Sequence, residues 1–339
     1  MKNNIRYKKA FMLSCVVFLT ILLSASYVLF LPCSFRNNPR IVKITSGMGA
    51  GKIASKLKEE GLIESRFRFK IAAFLYGRNL KAGDYEFSPS MNNWRLISAM
   101  KRGRVKVNKL TVPEGFSAKQ IAALIGKLKL GDENKFLKLA NDRDFAAKKG
   151  LTGRVLEGYL FPETYLLNNA VKEEEILSLT VFRFEKVMEK NGILKICEER
   201  KIKLYDLLRI ASIIEKEAGV PAERPLVSAV FWNRIKRQMR LESCATVLYA
   251  LGEKGNGKDH LTNRDLQIDS AYNTYQNYGL PPAPICNPGL ASILAALNPA
   301  KVNYLYFVSK NDGTQEFSET LEQHNIARKK YLVKNGQKK

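Results

Sequence analysis

Histidine is scarce in this chain of 339 residues, and its cysteines follow no recognisable pattern. The two histidines, His260 and His324, are too few for a His-rich zinc site. The five cysteines include no Cys-x-x-Cys pair, and their odd number and wide spacing argue against a disulfide framework. The sequence also lacks a Gly-rich phosphate loop and the spacing of a Ser-His-Asp triad. We therefore expect no metal and no organic cofactor.

Acidic residues are under-represented, with 32 Asp and Glu against 56 Lys and Arg. The imbalance is concentrated in residues 1–150, which contain 29 basic and 10 acidic side chains, whereas the remainder contains 27 and 22. A basic half indicates an anionic neighbour, such as lipid head groups, an acidic polymer or nucleic acid. A lysine-rich solvated surface without a binding role is the alternative interpretation.

One long uncharged run, residues 10–31, predicts a membrane helix, because 22 residues at ~1.5 Å per residue span a hydrocarbon core of ~30 Å. Four basic residues and no acidic ones precede the run. The positive-inside rule then predicts a cytoplasmic tail at residues 1–9 and a single-pass protein of the cytoplasmic membrane, with the remainder of the chain outside. A cleaved signal peptide, cut near Ser24-Ala25-Ser26, is the alternative. Because the functional part is exported in both cases, we expect no nucleic-acid partner.

The rest of the chain predicts an α+β fold in two regions. Residues 41–130 alternate strands with short helices, and a strand–turn–helix pattern recurs in part, with Ser117 as the N-cap of a helix over 117–125. This region resembles the LysM-like β-α modules that bind N-acetyl sugars. Residues 131–335 predict a mostly helical catalytic domain with a small β element. Its helices are expected over 132–148, 173–190, 203–218, 222–239 and 318–334, with a Pro- and Tyr-rich loop over 270–289 and a strand over 304–308.

Four segments after residue 150 combine carboxylates, amides and aromatic rings. They are EGYLFPETY at 157–165, ASIIEKEAG at 211–219, ERPLVSAVFWNRI at 223–235 and SAYNTYQNYGLPPAPICNPG at 270–289. A saccharide site needs aromatic faces, amide groups for hydroxyls and N-acetyls, and a desolvated acid that stays protonated near neutral pH. The side chains predicted to bind substrate are Glu157, Tyr159, Asn233, Tyr272, Asn273, Tyr275 and Asn287. The alternative is that the aromatics are core residues and the prolines stiffen a loop.

Glu217 is the candidate catalytic acid. It follows Ile210, Ile213 and Ile214 by seven, four and three residues, which places it on their side of a helix and in an apolar setting. Periodicity separates Glu217 from Glu215 only slightly. The alternative, which is the usual case for a helix taken at random, is that both glutamates are ordinary carboxylates at a helix end beside Lys216.

At these segments, together with YLYFVSKNDGTQEFSETLEQHN at 304–325, the chain resembles the YceG-like family over nearly its whole length. The resemblance implies an endolytic lytic transglycosylase of peptidoglycan, a lyase of cell wall biogenesis. Such an enzyme cleaves the β-1,4 bond between N-acetylmuramic acid and N-acetylglucosamine without water, leaves 1,6-anhydro ends, and limits strand length during wall synthesis. It also implies that Glu217, the second glutamate of IIEKE, is catalytic, and that wall-synthesis synthases are partners.

One position departs from the family pattern: Cys244-Ala245 stands where the family usually has Asp-Pro. This departure supports an alternative function, a non-catalytic, membrane-tethered peptidoglycan-binding protein. A lyase acting on a small chorismate-derived substrate is a further alternative. The predicted membrane anchor and the lack of a cofactor-binding lysine motif argue against it.

Overall fold

The computed structural model describes residues 11–20, 24, 26, 30–77, 79–103, 107–168, 171–255, 258 and 261–336. Residues 11–20 are helical. None of the helices within these ranges is long and apolar enough to cross a membrane. The membrane helix expected over residues 10–31 falls partly outside the described residues, which omit 10, 21–23, 25 and 27–29.

The chain is a helix-rich α+β protein with small two-stranded sheets. The strands are β1 (Arg40–Ile44), β2 (Gly83–Phe87), β3 (Val107–Thr111), β4 (Thr164–Asn168), β5 (Tyr306–Ser309) and β6 (Gln315–Ser318). They pair as β1 with β2, β3 with β4, and β5 with β6. The helices are α1 (Ala50–Glu59), α2 (Arg66–Tyr76), α3 (Asn93–Arg102), α4 (Ala118–Lys127), α5 (Glu133–Ala140), α6 (Arg143–Lys148), α7 (Glu173–Lys190), α8 (Ile193–Glu199), α9 (Leu204–Glu217), α10 (Arg224–Lys236), α11 (Cys244–Leu251), α12 (Leu290–Leu297) and α13 (Leu321–Gly336).

The chain divides into two compact units, Met1–Asn108 with Leu166–Ala170, and Lys109–Tyr165 with Val171–Lys339. The first contains β1, α1, α2, β2 and α3. Val42 and Ile44 of β1 are buried, as the alternation over 41–44 predicts, and Val42 pairs with Tyr85 of β2. The sheet and helices α1 to α3 share one apolar core.

The second unit is built around α9. Helices α10, α11 and α12 all pack against it, and its residues from 210 to 214 are buried. Helix α4 begins with a capping box in which Ser117 and Gln120 satisfy each other's backbone amides. The helix predicted over 132–148 is two helices, because the Asp142 carboxylate accepts hydrogen bonds from the amides of Asp144 and Phe145 and starts α6.

Candidate active site

Helix α9 places a glutamate at the margin of the core of the second unit. Ile210, Ile213 and Ile214 are fully buried, and Glu217, the last residue of the helix, is half-buried on their side. The helix stops there because Ala218 has an extended backbone. At this end of a helix the exposed carbonyls carry partial negative charge. Low solvation and the helix terminus therefore both disfavour a carboxylate at this position.

The carboxyl group of Glu217 contacts the beginning of α11. Ser243 precedes that helix and donates its hydroxyl to Glu217 Oε1 at 2.5 Å. The backbone N–H of Ala245, within the first turn, donates to the same oxygen at 3.2 Å. The free N–H groups at a helix N-terminus favour an anion. One carboxyl oxygen is therefore held at the positive end of a helix.

These opposing effects decide the protonation of Glu217. Burial raises its pKa above the ordinary value for glutamate, and the hydrogen bonds from Ser243 and Ala245 offset only part of that rise. Oε2 accepts no hydrogen bond from any described residue. A proton on Oε2 would therefore be available to a ligand, while Oε1 stays anchored.

Glu217 lines a cleft of about 360 Å³. This volume falls within the range of ordinary ligand pockets, roughly 300–1,000 Å³. The other lining residues are Arg234, Leu241, Glu242, Cys244, Leu266, Tyr275, Phe307, Val308, His324 and Arg328. The cleft thus combines a carboxyl group, aromatic and aliphatic surface, and cationic side chains.

Cys244 and Tyr275 lie beside the acid in this cleft. The Cys244 sulfur and the Tyr275 hydroxyl are 3.2 Å apart. Burial raises the pKa of both groups, and the neighbouring Glu217 raises them further, so thiol and phenol stay neutral at pH 7. The acid therefore has uncharged neighbours on this side.

The β5–β6 hairpin fixes the end of α9. Gln315 donates its side-chain amide to the backbone carbonyl of Glu217 at 2.7 Å, and its own N–H to Glu223 Oε1 at 3.0 Å. Gly219 approaches Gly313 so closely that a Cβ at Gly219 would collide with the Gly313 carbonyl oxygen. Phe307 of the same hairpin lines the cleft. The hairpin therefore serves both the cleft and the helix that carries the acid.

Comparison with known proteins identifies the chain. The model of the YceG-like family matches residues 42–330. The chain belongs to the YceG-like family.

Characterised and solved relatives agree with this assignment. The endolytic murein transglycosylase of Bacillus subtilis (strain 168) is 35% identical over 316 residues, covering 88% of this chain and 86% of that protein. The protein of the same name from Streptococcus pneumoniae (strain ATCC BAA-255 / R6) is 30% identical and covers 93% of this chain, which spans 64% of the streptococcal protein. The crystal structure of a yceG-like protein from Listeria monocytogenes superposes with a TM-score of 0.59 at 36% identity, covering 85% of this chain and 98% of that one.

Glu215, the other glutamate of the YceG-like IIEKE segment, has a different environment. Its side chain is 7% exposed and lies 3.5 Å from a guanidinium nitrogen of Arg224. Its Oε2 accepts the backbone N–H of Gly289 at 3.0 Å. Glu215 does not line the cleft. Its contacts indicate a structural carboxylate that joins α9 to α10 and to the loop before α12.

Glu157 and Asn287 form a buried polar cluster away from the cleft lining. The Asn287 amide accepts N–H groups from Gly158 and Leu160 and donates to Glu157 Oε1 at 2.8 Å. Glu157 also accepts the backbone N–H of Ala118 at 3.0 Å. Burial raises the pKa of Glu157 to about 8, although these donors lower it. The cluster ties the 157–165 segment to α4 and to the Pro-rich loop.

The remaining predicted sugar-binding residues divide into one that lines the cleft, Tyr275, and four that do not. Asn273 is fully buried and donates to the carbonyls at positions 266 and 268, and Asn233 donates to those at 302 and 304. Tyr159 is buried, with its hydroxyl 3.2 Å from that of Thr152. Tyr272 packs on the ring of Tyr249, with centroids 4.9 Å apart.

Sequence reasoning did not single out several residues of the site. Ser243 carries a recognisable signal, because a serine before the apolar run of α11 is a typical N-cap. Its hydroxyl nevertheless makes no capping bond and turns to Glu217 instead. Arg234, His324 and Arg328 had no signal beyond their charge. Within the described ranges, no group of three or more His, Cys, Asp and Glu side chains is arranged to hold a metal ion.

Proposed function

We propose that this protein is an endolytic lytic transglycosylase of peptidoglycan. It would cleave the β-1,4 bond between N-acetylmuramic acid and N-acetylglucosamine without water and leave 1,6-anhydro-muramyl ends. The observation that carries the proposal is the environment of Glu217: a half-buried carboxyl group with a raised pKa lines a cleft, and only one of its oxygens is hydrogen-bonded to the described part of the protein. The name of the Bacillus and Streptococcus relatives, endolytic murein transglycosylase, supports it.

Glu217 would act first as an acid and then as a base. Its Oε2 proton passes to the glycosidic oxygen as the bond from C1 to that oxygen breaks. The carboxylate so formed keeps the hydrogen bonds from Ser243 and Ala245, which strengthen as Glu217 becomes charged. It then accepts the proton of the muramyl C6 hydroxyl while that oxygen bonds to C1. Glu217 thus ends protonated, ready for another turnover.

A single carboxyl group can be enough for this reaction. Ordinary glycosidases need a second carboxylate to attack C1 or to activate water. In a lytic transglycosylase the nucleophile belongs to the sugar itself, so proximity supplies part of that contribution. The neutral Cys244 and Tyr275 beside Glu217 are consistent with a one-carboxyl mechanism.

For substrate binding, we propose that Tyr275 contacts a sugar, because it lines the cleft near Glu217. The other predicted binding residues, Glu157, Tyr159, Asn233, Tyr272, Asn273 and Asn287, stay predictions. Their observed hydrogen bonds and ring contacts join segments of the protein itself. We expect their replacement to change the shape and stability of the domain before it changes a direct sugar contact.

We further propose a cellular setting. The helix expected over 10–31 would anchor the protein in the cytoplasmic membrane with its N-terminus inside, and residues 41–130 would bind glycan as a LysM-like region. The order strand, two helices, strand in β1, α1, α2 and β2 provides a compact module for that role. The basic half would favour anionic surroundings, and wall-synthesis synthases are proposed partners.

A digest of purified sacculi in water labelled with ¹⁸O tests the proposed reaction. Wild-type fragments should end in anhydro-muramyl rings that carry no label. Glu217→Gln keeps the shape of the side chain but cannot transfer a proton, so activity should fall roughly 10²–10⁴-fold. Glu215→Gln, two residues away on the same helix, is the matched control and should lose only a few-fold.

Two outcomes would contradict the proposal. Labelled, reducing muramyl ends would identify a hydrolase, and a second catalytic carboxylate would be required. Wild-type protein that binds sacculi but releases no fragments would instead support the non-catalytic tether.

A further inference from the structure

The cleft that contains Glu217 also contains a cationic group of side chains that the proposed reaction does not use. Arg234 lies on α10, and His324 and Arg328 lie on α13. His324 and Arg328 are four residues apart, so they share one face of that helix. We call Arg234, His324 and Arg328 the cationic cluster after its two arginines; His324, whose pKa is lowered by burial, is its neutral member.

Hydrogen bonds hold the Arg234 side chain in place but involve only two of its three guanidinium nitrogens. Its side chain is only 8% exposed. Nε donates to the carbonyl at position 305 at 2.6 Å, and Nη1 donates to the carbonyls at 240 and 241 and to Glu242 Oε2, at 2.9–3.1 Å. Nη2 makes no hydrogen bond with a described residue and is accessible to solvent, so it can donate to an acceptor that enters the cleft.

The ring of Tyr306 joins two members of the cluster, Arg234 and His324. The guanidinium carbon of Arg234 lies 5.0 Å from the centre of the Tyr306 ring, and that ring stacks on His324 with centroids 5.1 Å apart. His324 Nδ1 is buried and makes no hydrogen bond with the described part of the protein. The pKa of His324 is lowered by burial and then by the charges of Arg328 and Arg234.

The charge of the cluster is only partly balanced. Glu242 is the carboxylate facing it, and this residue is already paired with Nη1 of Arg234. Arg328 is exposed and forms no ion pair with a described carboxylate. Two guanidinium groups therefore line this part of the cleft beside one carboxylate that is already paired.

We propose that Arg234, Arg328 and His324 form a subsite for a free carboxylate of the peptide attached to the muramyl sugar of the strand being cut. This inference rests on the proposed function, because it takes the occupant of the cleft to be a peptidoglycan strand. The sugars of such a strand are neutral, and its peptides provide free carboxylates. The planar edge of a guanidinium is suited to binding a carboxylate. The subsite would make the enzyme prefer strands that carry peptides.

The test uses soluble, uncross-linked, peptide-bearing strands and the full-length chain. In one preparation the peptide carboxylates are free, and in the other they are converted to primary amides with carbodiimide and ammonium. Amidation should lower wild-type kcat/KM about tenfold, mainly through KM. Arg328→Gln should lower kcat/KM by a similar factor on free strands and should no longer respond to amidation. Lys329→Gln removes the adjacent exposed charge, which is outside the cleft, and should behave as wild type.

Equal wild-type cleavage of both preparations would overturn the inference, and so would an Arg328→Gln enzyme that still responds to amidation. Strands stripped of peptide keep only the lactyl carboxylate. If they were cleaved at full rate and with the same dependence on Arg328, the peptide assignment would be wrong.

Binding is a second readout that needs no catalysis. The affinity of Glu217→Gln for free strands should exceed its affinity for amidated strands by about the same factor, and adding Arg328→Gln should abolish the difference. Unequal affinities without anhydro-muramyl products would sink the proposed reaction alone. Equal affinities would sink the subsite alone.

Discussion

Replacing Ser243 with alanine tests whether the hydrogen bond to Glu217 sets the pH range of the enzyme. The hydroxyl donates to Oε1 at 2.5 Å and lowers the pKa of a carboxyl that burial raises. A hydrogen bond to a charged group is worth roughly 1.5–3 kcal/mol. Because ~1.4 kcal/mol corresponds to one pKa unit, Ser243→Ala should raise the pKa of Glu217 by about one to two units.

A higher pKa of Glu217 should extend the activity of the enzyme to higher pH. Glu217 must be protonated to start the reaction, so kcat falls as pH rises through its pKa. In Ser243→Ala the alkaline limb of the profile should move to higher pH by the same one to two units. The maximal kcat should also fall, by about tenfold, because Oε1 is no longer anchored by a hydroxyl. The assay is the release of anhydro-muramyl fragments between pH 4 and 10.

The structure provides a matched control at another helix start. Ser117 makes the capping bonds of α4, whereas the hydroxyl of Ser243 makes none in α11. Ser117→Ala should cost about 1 kcal/mol of stability and leave the pH profile unmoved. Ser243→Thr, which keeps a hydroxyl, should restore the wild-type limb. An alkaline limb that stays in place in a fully folded Ser243→Ala enzyme would refute the reasoning.

Three further predictions concern the second compact unit. Ala245→Pro removes the N–H at 3.2 Å from Glu217 without breaking α11, because the first turn of a helix tolerates proline. The alkaline limb of the kcat profile should move to higher pH by less than it does in Ser243→Ala. A limb at the wild-type pH would exclude a role for this amide. The pKa of Glu157 is about 8 in the folded protein and near the ordinary value of 4.5 in the unfolded chain. The unfolded chain therefore loses this proton first as pH rises, and the free energy of unfolding should fall between about pH 5 and 8, by up to roughly 5 kcal/mol. Urea unfolding should show this slope in the wild type and a flatter one in Glu157→Gln, whereas equal slopes would mean that Glu157 is ionised when buried. Gly219→Ala puts a methyl group against the Gly313 carbonyl and should lower kcat about 10²-fold, in a protein whose circular dichroism spectrum stays native. A wild-type kcat would show that catalysis does not need the close contact between Gly219 and Gly313.

The sequence predicts those helices that have one apolar face. Regular spacing indicated helices over 173–190 and 203–218, where the structure has α7 and α9. Helix α12, LASILAAL, is not predicted by the sequence, because periodicity cannot distinguish a helix from a buried strand in so short an apolar run. Helix α11 is similar in composition and was also not predicted. Buried helices of this kind need tertiary contacts to be recognised.

The candidate site also has one part that the sequence predicts and another that it does not. The position of Glu217 beside Ile210 and Ile214 follows from the helical period alone, and both isoleucines are fully buried. Its hydrogen-bond donor Ser243 comes from another helix, and the cationic cluster includes residues from the last helix of the chain. No local pattern brings such residues together, because their proximity is set by how α9, α11 and α13 pack. The sequence shows that amide side chains such as Asn287 lie in a Pro-rich loop, but it does not indicate their hydrogen-bond partners.

The β5–β6 hairpin contributes to the wall of the cleft and also holds the backbone of Glu217 in position. Phe307 and Val308 line the cleft, and Gln315, on the partner strand, is bonded to the backbone of Glu217. One hairpin therefore supplies both part of the cleft wall and a hydrogen bond to the backbone that carries the acid, so a substitution that shifts the hairpin changes the cleft and the position of Glu217 together.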